Sequence, residues 1–263
     1  MGRKAVFFDI DGTIWDFQQR IPDSTVRAIR ALRRNGNLAF LCSGRSRAFI
    51  IGDNLFDIGF DGIVAGCGTY VEKGQQVLLN DKVPAEVLAD TVREMKKREM
   101  PLVLEGTRNL FVDREEFRGD PFLNKLVALM GDDILPILGN RDKWTKDTNK
   151  MSVNLVDKDI EEWLGWLAEQ YEIIKHGDSF MELVPKGHTK ASGIRFVCSE
   201  MGILPEDTVA FGDSSNDISM LEYAGVGVVM GNGTDEAKEA GDFVTKDIHD
   251  DGIEYALKKL ELI

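Results

Sequence analysis

The sequence predicts an α/β fold, in which a Rossmann-like, doubly wound parallel sheet carries an inserted α+β domain. Short apolar runs alternate with amphipathic helical stretches near both ends of the 263-residue chain. Such runs are typical of parallel strands that helices cover on both faces. Between residues 82 and 184 the order becomes a helix followed by two strands, and this order occurs twice. We therefore expect a discontinuous main domain, residues 1–81 and 185–263, and an inserted cap domain, residues 82–184.

The elements of the main domain follow from apolar periodicity and from helix start and stop signals. The first helix begins at Asp23 and Ser24, two capping residue types, and ends at Gly36. "RAFIIGDNLF" (47–56) predicts a second helix, and "TKASGIRFVCSEMG" (189–202) and "SNDISMLEYAG" (215–225) predict two later ones. The predicted buried strands are "AVFF" (5–8), "LAFLC" (38–42), "GIVA" (62–65), "TVAFG" (208–212) and "VGVVM" (226–230).

The inserted domain is predicted from the same signals. "PAEVLADTVREMKKREM" (84–100) and "DIEEWLGWLAEQ" (159–170) indicate its helices. The strands "YEIIKH" (171–176) and "FMELV" (180–184) suggest a hairpin around Gly177-Asp178. Three further runs are predicted to be strands: "LVLEG" (102–106), "NLFVD" (109–113) and "MSVNLV" (151–156).

Composition excludes some classes of function. The net charge of -13 argues against nucleic acid as a partner, because phosphate backbones are bound by clustered Lys and Arg. The 3 cysteines have no CxxC spacing, which favours reduced thiols in the cytoplasm. Since no stretch approaches the ~20 apolar residues of a membrane span, we expect no membrane association and a cytoplasmic protein.

Polar residues follow three of the predicted strands. "AVFF" runs into Asp9 and Asp11, "LAFLC" into Ser43 and Gly44, and "TVAFG" into Asp213. In open parallel sheets, ligands bind beyond the carboxyl ends of the strands. One such residue would indicate only a turn or a helix cap, but three strand ends together predict one shared site.

The residue types at these strand ends favour a metal and a phosphate. Asp9, Asp213 and Asp217 would bring several negative charges together, which is unfavourable unless a cation or a proton intervenes. All are hard oxygen donors without His or Cys, so Mg²⁺ is expected rather than Zn²⁺. Thr13 and Lys190 could donate to phosphate oxygens, and we expect the ligand to be a small phosphorylated metabolite.

Four ordered motifs resemble those of the haloacid dehalogenase superfamily phosphatases. They are "DIDGT" (9–13), "CSGR" (42–45), Lys190 and "GDSSND" (212–217). The C-terminal part, "AFGDSSNDISMLEYAGVGVVMGNGTDEAKEAGDFVT", resembles the Cof-like branch. The long insertion between the second motif and Lys190 resembles a type IIB cap. "AGCGTYV" (65–71) departs from this branch, which more often has Asn where Cys67 stands, so no role is assigned to that loop.

The resemblance implies a role for each matching residue. Asp9 would be the nucleophile that forms an aspartyl-phosphate, and Asp11 the acid and base, with its backbone carbonyl on the metal. The carboxylates of Asp9 and Asp213 would bind Mg²⁺, and Asp217 would support the metal site. The groups expected to hold the phosphoryl group belong to Thr13, Ser43, Gly44, Lys190 and Asn216.

We therefore expect a Mg²⁺-dependent phosphatase of small phosphorylated metabolites, and sugar phosphates are the leading candidate substrates. A phosphomutase acting on sugar phosphates is the alternative enzyme, and a phosphometabolite-binding regulator without catalysis is the alternative from another class. Substrate specificity is expected to reside in the cap, where His176, Glu182 and Trp144 are candidate substrate contacts. A monomer or a weak homodimer is expected.

Overall fold

The computed structural model describes residues 2–117, 121–155, 161–176 and 180–263. The strands are β1 (Ala5–Phe8), β2 (Leu38–Cys42), β3 (Gly62–Ala65), β4 (Tyr70–Lys73), β5 (Gln76–Asn80), β6 (Leu102–Gly106), β7 (Leu110–Val112), β8 (Ile134–Leu135), β9 (Thr148–Asn154), β10 (Tyr171–His176), β11 (Phe180–Pro185), β12 (Thr208–Gly212), β13 (Val226–Val229) and β14 (Phe243–Val244). The α-helices are α1 (Asp23–Arg34), α2 (Asp53–Phe56), α3 (Ala85–Lys97), α4 (Pro121–Met130), α5 (Arg141–Asp147), α6 (Glu161–Gln170), α7 (Lys190–Met201), α8 (Ile218–Tyr223), α9 (Asp235–Ala240) and α10 (Gly252–Lys259).

Within the described ranges, the larger sheet has eight strands in the order β14-β13-β12-β1-β2-β3-β4-β5. The pairs from β14 to β3 are parallel, and β4 joins β3 in the antiparallel direction. The predicted α/β fold with a parallel central sheet is confirmed. The edge strand β5 and its neighbour β4 were not predicted; no residue of β5 is buried and its burial does not alternate, so its sequence carries little strand signal.

The central strands β1, β2 and β12 are buried along their whole length, and apart from Thr208 they carry no polar side chain. Phe7 stacks on Phe40, with ring centroids 5.1 Å apart, and Phe8 stacks on Phe211 at 5.0 Å. Successive side chains of a strand point to opposite faces, so the two stacks anchor β1 on both sides of the sheet. Burying such a side chain contributes about 1.5–3 kcal/mol.

The chain divides into two compact units. The main unit comprises Met1–Gly44, Ile51–Leu79 and Thr189–Ile263, and the insert unit comprises Arg45–Ile50 and Asn80–His188. The predicted boundaries, 81/82 and 184/185, fall two to four residues from the crossings in the structure. The segment Arg45–Ile50 was not predicted to belong with the insert.

The insert unit contains the second sheet, with strand order β10-β11-β9-β6-β7-β8 among the described residues. The sequence order helix, strand, strand occurs as α3-β6-β7 and as α6-β10-β11, and both strand pairs are antiparallel. The turn predicted at Gly177-Asp178 lies outside the described residues. One face of this sheet packs on the apolar sides of the helices through residues such as Leu88, Val92 and Leu167.

Two predicted helix features differ in the structure. The stretch 47–56 is not one helix: a 3₁₀ turn, Arg47–Phe49, is separated from α2 by Gly52, whose φ of 116° lies outside the helical region. Helix α1 begins at Asp23, but no side chain caps it, and the hydroxyl of Ser24 is buried without a hydrogen-bond partner. Asp23 instead places its negative charge in the first turn, where the helix dipole favours it.

The described helices include none that combines the length and the apolar character needed to cross a membrane. The three cysteines, Cys42, Cys67 and Cys198, are buried and unbridged.

Candidate active site

The register of the main sheet brings the three predicted strand ends together. Phe8, the last residue of β1, lies between Phe211 of β12 and Leu41 of β2. The backbone N–H of Asp9 continues this pairing by donating to the carbonyl of Phe211 at 2.9 Å. Asp9 and Asp213 therefore leave adjacent strands at the same edge of the sheet, and Ser43 leaves the strand on the other side of β1.

Three carboxylates and one ammonium form the centre of this edge. Carboxylate oxygens of Asp9, Asp213 and Asp217 lie within 4.8 Å of one another. The Nζ atom of Lys190 lies 2.6 Å from Oδ1 of Asp9 and 2.5 Å from Oδ1 of Asp217. All four side chains are buried, so the site holds three acidic groups against one cation in a low-dielectric environment.

This shortage of positive charge is visible in the pKa values. Burial raises the pKa of Asp9 well above its ordinary range, and the charge of Asp217 raises it further. Burial and the charge of Asp217 likewise raise the pKa of Asp213 to about 7. Burial lowers the pKa of Lys190, but the charges of Asp217 and Asp9 outweigh burial and raise it well above the ordinary value. Lys190 is therefore held as a cation.

Asp213 is positioned by the loop that follows β1. Gly12 has a φ of 82°, and a Cβ atom there would lie 2.4 Å from Oδ2 of Asp213, so only glycine lets the backbone approach this carboxylate. The Thr13 hydroxyl donates to Oδ1 of Asp213 at 2.9 Å, and Thr13 is fully buried. This hydrogen bond uses the one proton of the Thr13 hydroxyl, so Thr13 positions Asp213, and phosphate binding by Thr13 stays a prediction.

Asp217 accepts hydrogen bonds on both carboxylate oxygens. Oδ2 accepts from the backbone N–H groups of Asp213 at 2.8 Å and Ser214 at 3.0 Å, while Oδ1 faces Lys190. Asp217 thus holds the backbone beside Asp213 in place. The Ser214 hydroxyl donates to Oδ1 of Asn216 at 3.1 Å, which orients this amide so that its NH₂ group is the part left to donate to a ligand.

The carboxylate of Asp11 is not one of the three clustered carboxylates, but its charge adds to the raised pKa of Asp9 and of Asp213. Its Oδ1 accepts a hydrogen bond from the indole N–H of Trp15 at 3.0 Å. Trp15 is buried, and its backbone carbonyl accepts from the N–H of Gly12 at 2.9 Å, which closes the loop. Trp15 was not predicted as a site residue, because an aromatic residue in a loop carries no signal for the partner of its N–H.

Ser43 is held by backbone hydrogen bonds to β3 and to the loop that follows it. The N–H of Ser43 donates to the carbonyl of Val64 at 2.9 Å, and the carbonyl of Ser43 accepts from the N–H of Cys67 at 3.1 Å. Cys67 has a φ of 53°, in the left-handed region. Lys190 is the first residue of α7, whose start is closed by reciprocal hydrogen bonds between Thr189 and Ser192. The loop around Cys67, which received no predicted role, thus supports Ser43.

The donor set fits a Mg²⁺ ion. The clustered carboxylates are hard oxygen donors, and the described part of the chain places no Cys or His ligand with them. The raised pKa values of Asp9 and Asp213 come from burial and mutual repulsion, which a divalent cation would relieve.

The three candidate substrate contacts in the insert have different surroundings. Trp144 is 4% exposed and packs in the apolar core of the insert unit, where its indole N–H donates to the carbonyl of Ile137 at 3.1 Å. Its proposed role as a substrate contact is therefore wrong. His176 and Glu182 contact each other at 3.1 Å and belong to a polar cluster on the insert sheet.

Asn232 is a positioning residue that sequence reasoning missed. Its Nδ2 atom donates to the carbonyl of Gly12 at 2.7 Å, and its Oδ1 accepts from the N–H of Ile248 at 3.0 Å. It therefore ties the loop that carries Asp11 to a segment more than 200 residues later. The only signal was its place between two glycines, which indicates a turn and not a contact.

We expect Asn232→Ala to lower kcat for p-nitrophenyl phosphate by about tenfold, because an unpaired Gly12 carbonyl costs about 1–3 kcal/mol and frees the loop. KM should change less than kcat, since Asn232 does not touch the phosphoryl group. Asn35→Ala is the matched control, because its Nδ2 makes a similar bond to the carbonyl of Leu262 at 3.0 Å. Equal effects of the two variants on kcat would contradict a positioning role for Asn232.

Comparison with known proteins agrees with this geometry. Residues 6–257 match the model of the haloacid dehalogenase-like hydrolase family. The chain is 30% identical to YkrA of Bacillus subtilis (strain 168), a protein provisionally named as a phosphatase, over 100% of both chains. A crystal structure of a hypothetical protein from Geobacillus kaustophilus HTA426 has a TM-score of 0.83 and 32% identity, covering 100% of both chains.

A further solved structure bears on the branch of the family. The HAD subclass IIB sugar phosphatase BT4131 has a TM-score of 0.83 and 29% identity, covering 99% of this chain and 100% of that one. The resemblance that the four motifs indicated is therefore confirmed. The chain belongs to the haloacid dehalogenase-like hydrolase family, among the Cof-like phosphatases with a subclass IIB insert.

Proposed function

We propose that this protein is a Mg²⁺-dependent phosphatase that hydrolyses phosphate monoesters of small metabolites, sugar phosphates first, through an aspartyl-phosphate. The observation that carries the proposal is the buried cluster of Asp9, Asp213 and Asp217 with Lys190 between two of them. Such a cluster accommodates a divalent cation and still keeps one protein cation for the transferring phosphoryl group.

Asp9 acts as the nucleophile. Lys190 contacts its Oδ1, so Oδ2 is the oxygen that attacks phosphorus. The new bond joins Oδ2 to phosphorus while the bond from phosphorus to the ester oxygen breaks. Water then attacks phosphorus, the bond to Asp9 breaks, and inorganic phosphate leaves.

Asp11 moves the protons of both steps. Its protonated carboxyl donates to the leaving ester oxygen, and the resulting carboxylate takes a proton from the attacking water. Such help is typically worth about 10²–10⁴-fold in rate. The Trp15 indole orients the carboxyl of Asp11 between these steps.

The remaining groups bind the phosphoryl oxygens. Lys190 offsets the charge that develops on them, and the NH₂ group of Asn216, the Ser43 hydroxyl and the N–H of Gly44 donate to them. Thr13 contributes by holding Asp213. Mg²⁺ would be held by the carboxylates of Asp9 and Asp213 and the backbone carbonyl of Asp11, with Asp217 supporting them. When bound, it would supply Lewis-acid stabilisation of phosphoryl charge.

The substrate class is inferred from the likeness to BT4131, which is named a sugar phosphatase, and from the insert. The motifs of the main unit recognise only the phosphoryl group, so the insert unit, as a cap, would recognise the rest of the substrate.

A screen of phosphorylated metabolites tests the proposal directly. With Mg²⁺, we expect release of inorganic phosphate from p-nitrophenyl phosphate and from several sugar phosphates. After treatment with EDTA, turnover should fall by about 10²-fold or more and return when Mg²⁺ is added, because several kcal/mol of charge stabilisation are lost. An isomerised sugar phosphate without release of phosphate would identify a phosphomutase, and binding without turnover would identify a regulator.

A further inference from the structure

A cleft lined by arginines lies in the main unit, apart from the candidate active site. It has a volume of about 440 Å³, and the described residues that line it are Arg30, Arg33, Arg34 and Ile58. This volume is within the usual range of small-molecule sites, about 300–1,000 Å³. None of the lining residues is acidic, so the cleft is positive although the whole chain carries a net charge of -13.

Helix α1 supplies the three arginines of the cleft from one side. Arg33 and Arg34 follow Arg30 by three and four residues, and side chains with these spacings are neighbours on a helix. The helix also contains Arg27, but Asp23 is its one acidic residue, so its own acids cannot pair all its cations. The helix dipole favours cations in the last turn, which accounts for Arg33 and Arg34 but not for Arg30.

The cleft lies at the amino ends of two strands of the main sheet. Helix α1 ends shortly before β2 begins at Leu38, and Ile58 lies in the loop that leads to β3. These two strands are parallel, with Phe40 paired to Gly62. Because Asp9 lies beyond the carboxyl ends of the parallel strands, the cleft and the candidate active site are at opposite ends of the same sheet.

Arg33 is fixed in the wall of the cleft by Asp61. Its Nη2 and Nε atoms donate to the two carboxylate oxygens of Asp61 at 2.9 Å and 3.1 Å. The same carboxylate accepts from the backbone N–H of Ala39 at 2.9 Å, which anchors the pair to β2. Nη1 of Arg33 lies beside Gly59, where a Cβ atom would come within 2.9 Å of it. Asp61 therefore balances the charge of Arg33 and leaves the N–H groups of Nη1 for another acceptor.

Arg30 and Arg34 have no carboxylate partner among the residues that the structure describes. Nη2 of Arg30 donates to the backbone carbonyl of Asp57 at 2.7 Å, which holds the guanidinium against the loop but does not balance its charge. The carboxylate of Asp57 forms no ion pair with either arginine in this part of the chain. Of the three guanidinium charges in the cleft, two are thus left for a ligand.

The chemistry of the cleft fits a chain of phosphates. Guanidinium groups stay charged in proteins and bind phosphate oxygens through paired N–H groups. Residues four apart on a helix have Cβ atoms about 5–6 Å apart, so Arg30 and Arg34 suit two linked phosphoryl groups better than a single one. Ile58, which is buried, closes the floor of the cleft and brings no competing acceptor side chain.

We propose that this arginine cleft is a second ligand site, which binds a chain of two or more phosphates. The chain is either inorganic pyrophosphate or the phosphate part of a nucleoside diphosphate or triphosphate. Arg30 and Arg34 each bind one phosphoryl group, and Nη1 of Arg33 donates to an oxygen of the chain. The ligand is bound there and not hydrolysed, because no carboxylate lines the cleft to attack phosphorus. This inference does not rest on the proposed function.

Equilibrium dialysis with labelled pyrophosphate, in buffer freed of divalent cations by a chelating resin, tests the proposal. Without metal, the site of Asp9 holds three carboxyl groups against one ammonium, so it has no excess positive charge for an anion. We expect one pyrophosphate per chain, bound about tenfold or more tightly than orthophosphate, because the second phosphoryl group adds charge-assisted hydrogen bonds. The affinity should fall as ionic strength rises, since the cleft is open to solvent.

Arg30→Gln and Arg34→Gln should each lower the affinity for pyrophosphate by about tenfold. Arg27→Gln is the matched control, because it removes the same charge from the same helix at a position that does not line the cleft, 3.8 Å from Glu254. It should leave the affinity nearly unchanged. Glutamine has a helix propensity close to that of arginine, so all three variants should fold. Their turnover of p-nitrophenyl phosphate with Mg²⁺ should equal that of the wild type.

Competition against labelled pyrophosphate distinguishes the two sources of the phosphate chain. Displacement by ADP at lower concentrations than unlabelled pyrophosphate would identify a nucleotide site, and the reverse order would identify a site for the inorganic ion. Either order supports the proposal.

Three results would overturn the proposal: no binding of pyrophosphate, binding no tighter than that of orthophosphate, or equal losses of affinity in Arg27→Gln and Arg30→Gln. Pyrophosphate binding by a protein that hydrolyses no phosphate ester would overturn the proposed function alone. Phosphatase activity without pyrophosphate binding would overturn this inference alone.

Discussion

Replacing Asp9 by Asn is expected to lower kcat for p-nitrophenyl phosphate by about 10⁴-fold or more, because the amide cannot attack phosphorus. The structure predicts a second effect in the opposite direction. Since burial and the charge of Asp217 raise the pKa of Asp9, its ionised form is unfavourable in the folded protein. Without divalent cations, the variant should therefore unfold at the same temperature as the wild type or a higher one.

The combination of lost activity and kept stability separates a nucleophile from a structural residue. Asp16→Asn is the matched control, since Asp16 lies in the same segment and is buried, but its carboxylate contacts Arg20 at 2.8 Å. That variant should retain most of its turnover. A loss of about tenfold or less in Asp9→Asn would exclude Asp9 as the nucleophile, because acid–base or charge effects alone can account for it. Mass spectrometry of quenched wild-type enzyme should locate phosphate on Asp9.

Replacing Lys190 by Met is expected to lower the free energy of unfolding by about 3–5 kcal/mol in EDTA at neutral pH, besides abolishing most of the activity. Lys190 is fully buried and is the cation that contacts both Asp9 and Asp217. Its removal leaves buried carboxylates without that compensation. Urea unfolding measures the difference, and the double variant with Asp217→Asn should recover part of it because one of the uncompensated charges is then absent.

The pH dependence of this loss has a definite sign. Burial raises the pKa of Asp213 to about 7. Between the ordinary pKa of an aspartate and pH 7, the folded protein therefore keeps a proton that the unfolded chain has released. Stability from this group is complete at low pH and is lost as pH rises through about 7. The deficit of Lys190→Met should therefore be smaller at low pH, where the carboxylates are neutral.

Lys4→Met provides the control for the Lys190 experiment. Lys4 contacts Asp207 at 2.6 Å, but the two side chains are 26% and 33% exposed. Pairs that water can reach are worth about 0–1 kcal/mol, so little stability should be lost. Similar losses in Lys4→Met and Lys190→Met would contradict the view that Lys190 compensates buried charge.

Much of the candidate active site, at the carboxyl ends of β1, β2 and β12, could be predicted from the sequence because it depends on local signals. The strands that precede Asp9, Ser43 and Asp213 are short apolar runs, and parallel strands place their carboxyl ends at one edge wherever they occur in the chain. Lys190 was predicted from its motif, and the Thr189–Ser192 cap explains why a helix begins there.

Other features could not be predicted because a polar side chain does not reveal its partner in sequence. Thr13 has the residue type of a phosphate donor, but its hydroxyl is used by Asp213, which follows it by 200 residues. Trp144 has the residue type of a substrate contact, yet its place on α5 buries it in the core of the insert. Asn232 reaches Gly12 only because the chain returns to the same sheet edge.

By itself, the sequence determined the α/β fold, the positions along the chain of the strands that carry the motifs and the residue types at their ends, because apolar periodicity and strand ends are local properties. Only the tertiary structure decided how each carboxylate is used: Asp217 holds the backbone, Asp213 is held by Thr13, and Asp11 contacts Trp15. It also decided that Glu105, Lys150, Glu182 and His176 meet on the insert sheet, since they come from four different strands. These features depend on three physical factors: burial, cross-strand register and the single proton that a hydroxyl can donate. Each factor is set by contacts between distant parts of the chain, which a local sequence pattern does not contain.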